Sequence, residues 1–322
     1  MKAIRITAFG GPEVLTLADV ERPTPKAGEA LVRIAAAGVN FMDTGYRSGR
    51  RAGQTVPFTP GGEASGTVES IGAGVTEVKP GDRVMYAMII GSYAEFATVP
   101  ASSLVLVPPE IDLVSAAAIP LQGFTAHYLL HDFRKVGPGT TVLVHAVAGG
   151  VGLLLTQYAS HLGAHVIGTT SSEEKAAKAK AMGARDVIIY TQTNFADEVK
   201  KITGGKGVDL ILDSVGKTTF PGDLEAASIR GNIVIYGASS GQAEPVSPNA
   251  FSARALTVSG AGLNHFIPTR ADILRRADDV LAGLRAGWLK LTIEHALPLE
   301  KASEAHKLLE SRATSGKLLL TL

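Results

Sequence analysis

The chain contains no cysteine, which excludes disulfides, thiolate nucleophiles, cysteine-bound zinc and iron–sulfur clusters together. It also lacks a charge surplus. Thirty-one Lys and Arg face 30 Asp and Glu, a net charge of +1, so no overall field steers the chain toward nucleic acid or an anionic membrane. Aromatics are sparse, at 6% with one Trp, and no stripe of basic and aromatic residues suggests an RNA- or DNA-binding face. Residues 136–172 carry no Asp, Glu, Lys or Arg. Within them 142–158 is apolar enough to suggest a membrane span, but His145 and Gly149-Gly150 interrupt it, and a buried strand entering a buried helix accounts for it better. No membrane insertion is expected. The opening MKAIRITAF has no apolar leader core, so no targeting segment is expected either, and the cytoplasm is the default compartment. What the chain does have is glycine, 36 of 322 residues without a collagen-like period, which indicates tight turns and close backbone approaches.

At ~100–200 residues per domain, this length suggests two domains. Up to about Pro109, short β-rich runs at 30–36, 64–71, 82–85, 93–99 and 104–107 alternate with turn signals such as Pro80-Gly81, which predicts an antiparallel, barrel-like domain. A helical stretch at 114–130 follows. Then buried-type strands at 141–146, 164–168, 186–189, 208–213, 232–236 and 255–259 alternate with helices such as 150–162 and 173–182. That alternation predicts a doubly wound parallel sheet, hence an α/β fold overall. The tail reads as a helix (271–286), a strand (289–295), a helix (300–310) and a strand (316–322), able to complete the first domain. The boundaries expected are 1–122 with 266–322 for the β-rich domain and 123–265 for the dinucleotide-binding domain.

The sharpest local signal is the strand and turn from Thr141 to Gly152, in which Gly149, Gly150 and Gly152 open an apolar helix. Backbone N–H groups and a helix N-terminus can there meet a pyrophosphate. On the G-x-G-x-x-G pattern the first glycine is replaced by Val147. The second strand ends Thr169-Thr170-Ser171-Ser172, with Thr170 18 residues past Gly152. No acid is present to take a ribose 2′-hydroxyl, and Lys175 follows, so the hydroxyls and the lysine suit a 2′-phosphate and favour NADPH over NADH. Ser171 and Ser172 also read as helix caps before Glu173-Glu174, which is compatible with that role.

Several segments in order then resemble the zinc-free NADPH:quinone oxidoreductase family of the medium-chain dehydrogenase/reductase superfamily: Ala37-Gly-Val-Asn40-Phe-Met-Asp43, Pro60-Gly-Gly-Glu63-Ala-Ser-Gly66, Val78-Lys-Pro-Gly-Asp-Arg-Val84, Gln122-Gly-Phe-Thr125-Ala, the glycine turn, Asp213-Ser-Val-Gly216 and Ser311-Arg-Ala-Thr-Ser-Gly-Lys317. The resemblance implies a GroES-like N-terminal domain, an inserted Rossmann domain and homodimers formed through the edge strand at 255–259. Zinc alcohol dehydrogenases of the superfamily hold their metal through a Cys, a His and a Cys where this chain has Asn40, Gly62 and Gln122, so metal-assisted alcohol oxidation is not expected. The histidine pairs His127/His131 and His161/His165 have metal-like spacing but no third ligand, and packed or surface histidines describe them better.

By the same resemblance Gly149, Gly150 and Val151 would cradle the pyrophosphate, and Ser171, Lys175 and Tyr190 would hold the 2′-phosphate. Val215, Gly237 and Ser239 would line the cofactor groove. Asn40, Phe41 and Asp43 would form a loop facing the nicotinamide, with Thr125 and Tyr128 beneath it and Lys317 near the cofactor's phosphate side. Asn40 would donate a hydrogen bond to the reacting carbonyl, and Tyr46 a proton or hydrogen bond. The family's bacterial quinone reductases carry tyrosines near positions 45 and 51, where this chain has Gly45 and Arg51. The function implied is NADPH-dependent reduction of a quinone. The alternatives are an enoyl or alkenal reductase acting on an activated alkene and, from another class, a catalytically idle, crystallin-like NADPH-binding protein.

Overall fold

A computed structural model describes residues 1–311 and 313–322; Arg312, within the Ser311–Lys317 motif, lies outside the described residues. In chain order the strands and α-helices are β1 (Lys2–Arg5), β2 (Thr16–Asp19), β3 (Glu29–Val39), α1 (Phe41–Arg47), β4 (Glu63–Ile71), β5 (Arg83–Ala87), β6 (Phe96–Pro100), β7 (Val105–Leu106), α2 (Leu113–Ala116) and α3 (Pro120–His131). There follow β8 (Thr141–Val144), α4 (Gly150–His161), β9 (His165–Thr170), α5 (Glu173–Ala181), β10 (Asp186–Ile189), α6 (Phe195–Ile202), β11 (Val208–Asp213), α7 (Phe220–Ala226), β12 (Ala227–Ile235) and β13 (Thr257–Gly260). The chain ends with α8 (Arg270–Arg285), β14 (Ile293–Pro298), α9 (Ala302–Glu310) and β15 (Lys317–Thr321). Two compact units result. One comprises Met1–Phe124, Ile267–Asp278 and Leu291–Leu322, the other Thr125–Phe266 and Asp279–Lys290.

The first unit is built on a sheet ordered β14-β15-β3-β4-β5-β7, with β6 also pairing β3. Its pairings are antiparallel except β14 with β15, which run parallel. Apolar residues at alternate positions, such as Ala30, Val32 and Ile34 of β3, fall on the inner face with Tyr86, Tyr93 and Leu320. The single helix expected over 114–130 is two, because Pro120 has no N–H to continue a helix and so begins α3. The loop expected at 40–43 is instead the start of α1, whose N-cap is Asn40.

The second unit is a six-stranded sheet ordered β10-β9-β8-β11-β12-β13, parallel throughout. The order reverses between β8 and β11, so the turn after β8 lies at a topological switch point, where such sheets receive ligands at the strands' carboxyl ends. The unit's bounds differ from the expected ones by one or two residues at 124 and 266, and more substantially in the tail, where Asp279–Lys290 belongs to this unit. There Trp288 stacks on His161 at 4.0 Å and meets Tyr158 edge-on at 4.8 Å, Leu289 is buried, and Lys290 N–H donates to Gln157 Oε1 at 2.8 Å. The strand expected at 289–295 therefore begins only at Ile293. Beneath the sheet's carboxyl edge His145 Nε2 pairs with Asp223 at 2.7 Å and Nδ1 meets Thr169 Oγ1 at 2.8 Å, all buried. Burial works against the imidazolium, but the Asp223 charge and hydrogen bond outweigh it and raise the His145 pKa.

Candidate active site

In the second unit, β8 enters the turn through Ala146, which takes a left-handed φ of 50°, and Gly149 caps α4. Glycine offers no side-chain acceptor, so among the described residues no side chain caps the first-turn N–H groups of Gly150, Val151 and Gly152. That is an arrangement suited to an anion. A Cβ on Gly152 would sit 2.5 Å from Ala146 O and 2.8 Å from Val147 O, so helix and strand close up here only without one. Val147, where the pattern has its first glycine, is fully buried, and a Cβ on Gly168 of β9 would lie 2.7 Å from both its γ-methyls. The glycine missing at 147 is thus matched by one on the neighbouring strand.

At the carboxyl end of β9, Tyr190 N–H donates to Thr170 O at 3.0 Å and Thr191 Oγ1 to Ser171 O at 3.1 Å. These bonds bring Ser171 and the half-exposed Tyr190 to one edge, next to the first turn of α5, where Lys175 N–H is capped by Ser172. Across the switch point, Asp213 accepts the N–H groups of Val215 and Gly216 and the Thr219 hydroxyl, which shapes the turn after β11. Ser239 N–H donates to Ser214 O, and a Cβ on Gly237 would lie 2.7 Å from that oxygen. Val215, Gly237 and Ser239 are thereby brought together. Thr125 and Tyr128 are buried on α3, with the Tyr128 ring stacked on Phe266 at 4.1 Å.

The first unit gathers Asn40, Asp43 and Lys317 around Glu63. Lys317 Nζ lies 2.5 Å from Glu63 Oε2 and 2.7 Å from Asn40 Oδ1, and Glu63 Oε1 accepts Leu121 N–H at 2.6 Å. Asn40 Nδ2 donates to Glu63 Oε2 at 3.0 Å and Gly38 O at 3.2 Å. Lys317 and Glu63 are at most 1% exposed. The Lys317 ammonium is enclosed by Glu63 and Asn40, and the Asn40 carboxamide has both N–H groups and its oxygen engaged within the cluster. Asp43, at the third position of α1, accepts Asn40 N–H at 2.9 Å and the Tyr93 hydroxyl at 3.2 Å. Phe41 is 47% exposed at the start of α1, and the half-buried Tyr46 ring lies 5.1 Å below the Arg51 guanidinium. Arg51 comes close because Gly45 has no side chain; a Cβ there would meet Arg51 Cβ at 3.3 Å.

The residues do not fit a zinc ion. Asn40 is fully engaged, and the space beside Gly62 is filled by Met42 Cε at 3.3 Å and Ile90 Cδ1 at 3.6 Å from where a Cβ would stand. Among the described residues no group of three His, Asp or Glu converges on a metal position. His127 stacks on His131 at 4.2 Å and pairs with Asp279, while His165 pairs with Asp186.

The match between Val147 and Gly168 gives a direct test. Gly168→Ala is expected to destabilise the protein by about 1–3 kcal/mol through overpacking. Val147→Ala in the same chain is expected to recover most of that loss. Urea unfolding of the two single variants and the double variant measures the coupling, and strict additivity would count against the fit.

Two family models match the chain, one described as zinc-binding dehydrogenase over residues 150–278 and one as alcohol dehydrogenase GroES-like domain over residues 26–109. Quinone oxidoreductase 1 of Escherichia coli is 37% identical over 321 residues, with 98% of each chain covered. A 2-haloacrylate reductase from Burkholderia sp is 38% identical over 319 residues, covering 97% of this chain and 96% of that protein. The structure of Escherichia coli quinone oxidoreductase complexed with NADPH matches with a TM-score of 0.97 at 36% identity, covering both chains completely. With near-complete coverage at these identities, the GroES-like and Rossmann units described above and no donor set for zinc, the chain belongs to the zinc-free NADPH:quinone oxidoreductase family of the medium-chain dehydrogenase/reductase superfamily.

Proposed function

We propose that this protein reduces a quinone with NADPH and without a metal. The observation that carries the reading is the coexistence of a dinucleotide turn open to an anion with a zinc position closed by Met42 and Ile90. When bound, NADPH would supply a hydride from nicotinamide C4, and one proton, from water or through Tyr46, would complete the hydroquinone and leave NADP+. The N–H groups of Gly150 and Val151 hold the pyrophosphate, with Gly149 shaping the turn through its own N–H on Ala146 O, and Ser171, Lys175 and Tyr190 hold the 2′-phosphate. Val215, Gly237, Ser239, Thr125 and Tyr128 shape the groove. On α1 the exposed Phe41 ring offers a flat surface to the acceptor and Tyr46 a hydrogen bond or proton, while Asn40, Asp43 and Lys317 hold the helix that presents them. Hydride transfer to an electrophilic acceptor needs such positioning more than it needs a Lewis acid.

A second reading, reduction of an activated alkene bearing a carboxylate, is favoured by Arg51. Its exposed side chain sets the guanidinium over Tyr46, and no ion pair to it is found among the described residues. The relative named a 2-haloacrylate reductase is consistent with that choice. In this case the hydride goes to the β-carbon and Tyr46 supplies the proton at the α-carbon. NADPH oxidation is to be followed with a neutral naphthoquinone and, separately, with 2-chloroacrylate. Tyr46→Phe is expected to lower kcat/KM for the true acceptor about tenfold, the loss of roughly one hydrogen bond. Turnover of neither acceptor by a protein that binds NADPH would sink both readings.

Lys175→Ala is expected to weaken NADPH binding about tenfold or more while leaving NADH binding unchanged, as read by fluorescence titration; equal losses for both would remove Lys175 from the phosphate site.

The protein is also read as a cytoplasmic homodimer. Strand β13 is the edge of its sheet and its side chains are partly to fully exposed, so a second copy can add its own β13 there. Sedimentation is expected to give twice the 33.4 kDa chain mass, and Val258→Pro to give monomer. A wild-type monomer at micromolar concentration would overturn this.

A further inference from the structure

A chain of side chains, buried from Arg47 inward, runs from the partly exposed Glu310 at the end of α9 to the first turn of α1. Glu310 holds Arg47 through two hydrogen bonds, at 2.7 and 3.2 Å, and Arg47 NH1 lies 3.1 Å from His306 Nδ1. His306 Nε2 lies 3.2 Å from the Tyr93 hydroxyl, which lies 3.2 Å from Asp43 Oδ2. Arg47, His306, Tyr93 and Asp43 are each at most 3% exposed. Gly61 makes room for the tyrosine, since a Cβ there would collide with the Tyr93 ring.

The donors and acceptors allow only one sense. Arginine can only donate, so His306 Nδ1 accepts and its proton sits on Nε2. His306 Nε2 then donates to Tyr93, and Tyr93 to Asp43. Burial, with the Arg47 charge beside it, pulls the His306 pKa down to about 3, so the ring stays neutral and the sense is kept. Asp43 ends the chain as an acceptor, with Asn40 N–H as its second donor. Its other oxygen, Oδ1, is buried with no hydrogen-bond partner among the described residues. A proton taken up by Asp43 has only Oδ1 to occupy, because Oδ2 faces two donors.

We infer that Arg47, His306 and Tyr93 are positioning residues for the reaction: their one-way hydrogen-bond chain keeps Asp43 a carboxylate, and Asp43 pins the first turn of α1, which carries Phe41 and Tyr46. The inference rests on the reading that α1 presents those two residues to the acceptor. Asp43 is poised to respond. Burial pushes its carboxyl up to about 7, against the Asn40 N–H, the Lys317 charge and the Tyr93 hydroxyl, which favour ionisation, and with Glu63 opposing it. Arg47 with its partner Glu310, and neutral His306, complete the titratable and charged groups in this chain. A neutral Asp43 still accepts both donors at Oδ2 but holds them less strongly than a carboxylate does, so acid loosens the pin and kcat should fall as pH drops through about 7.

The test is the pH profile of kcat with saturating NADPH and the acceptor the protein turns over. In Tyr93→Phe, which removes one donor to the carboxylate, the acid limb is expected to move up by about one pH unit. His306→Leu should move it the same way. His306→Gln, whose side-chain N–H can still donate to Tyr93, should restore most of the wild-type profile. The NADPH dissociation constant is expected to stay the same in all three. Thermal melts identify any variant that fails to fold; if Tyr93→Phe does, the contrast between the two His306 variants decides. Superimposable profiles for wild type and the folded variants, or identical behaviour of His306→Gln and His306→Leu, would overturn the inference. If instead Tyr46→Phe and Phe41→Ala leave turnover intact, it is the placing of the acceptor on α1 that fails.

Discussion

Glu63 and Lys317 form an ion pair sealed from water, and burying two charges costs several kcal/mol each unless every polar atom around them is matched. Here the matching extends through the first unit. Leu121 N–H takes one carboxylate oxygen of Glu63; Lys317 and Asn40 take the other; Gly38 lacks a side chain because a Cβ would collide with the carboxylate. Lys317, at the start of β15, reaches Glu63, at the start of β4, across β3, which pairs with both strands. The strand order, the glycine at 38 and the fixed carboxamide of Asn40 are thus parts of one electrostatic solution. Loss of either charge alone would leave the other buried without compensation, a far costlier change than replacing both.

The second unit meets its central constraint by steric means. Its turn requires a strand and a helix to approach closely, and glycine is used at 149 and 152 for that purpose. Where the pattern would place another glycine, a buried valine is accommodated by removing a side chain from β9 instead. An imperfect match to a short motif therefore coexists with a well-formed turn, because close packing can be achieved from either side of a contact. One unit relies on matched charge and the other on shape.

Features set by neighbouring residues were legible in the sequence. The strand and helix alternation of the second unit, the glycine turn and the hydroxyls with a lysine after β9 all follow from local patterning, and their observed positions agree to within a few residues. The start of α1 is also legible in principle, since Asn40 followed three residues later by Asp43 is a helix-start signature. The chain that ends on Asp43 was not legible, because Arg47 meets His306 across 259 residues and His306 meets Tyr93 across 213. The inward turn of Lys317 was hidden for the same reason, with 254 residues separating it from Glu63. Residues 287–290 look like the approach to a strand, but Trp288 finds its partners on α4, 127 and 130 residues earlier.

The position of β15 also bears on the order in which the molecule is made. Synthesis proceeds from the N-terminus, so β3 and β4 are complete, and Glu63 with them, long before Lys317 exists. The entire Rossmann sheet, strands β8 through β13, is translated in the interval and contains all of its own pairings. The GroES-like sheet has no such independence. Until residues 317–321 arrive, residues 36–39 of β3, beyond the reach of β6, have no strand on that edge and the Glu63 carboxylate has no ammonium to meet, so a strand translated after the Rossmann sheet completes the unit begun before it.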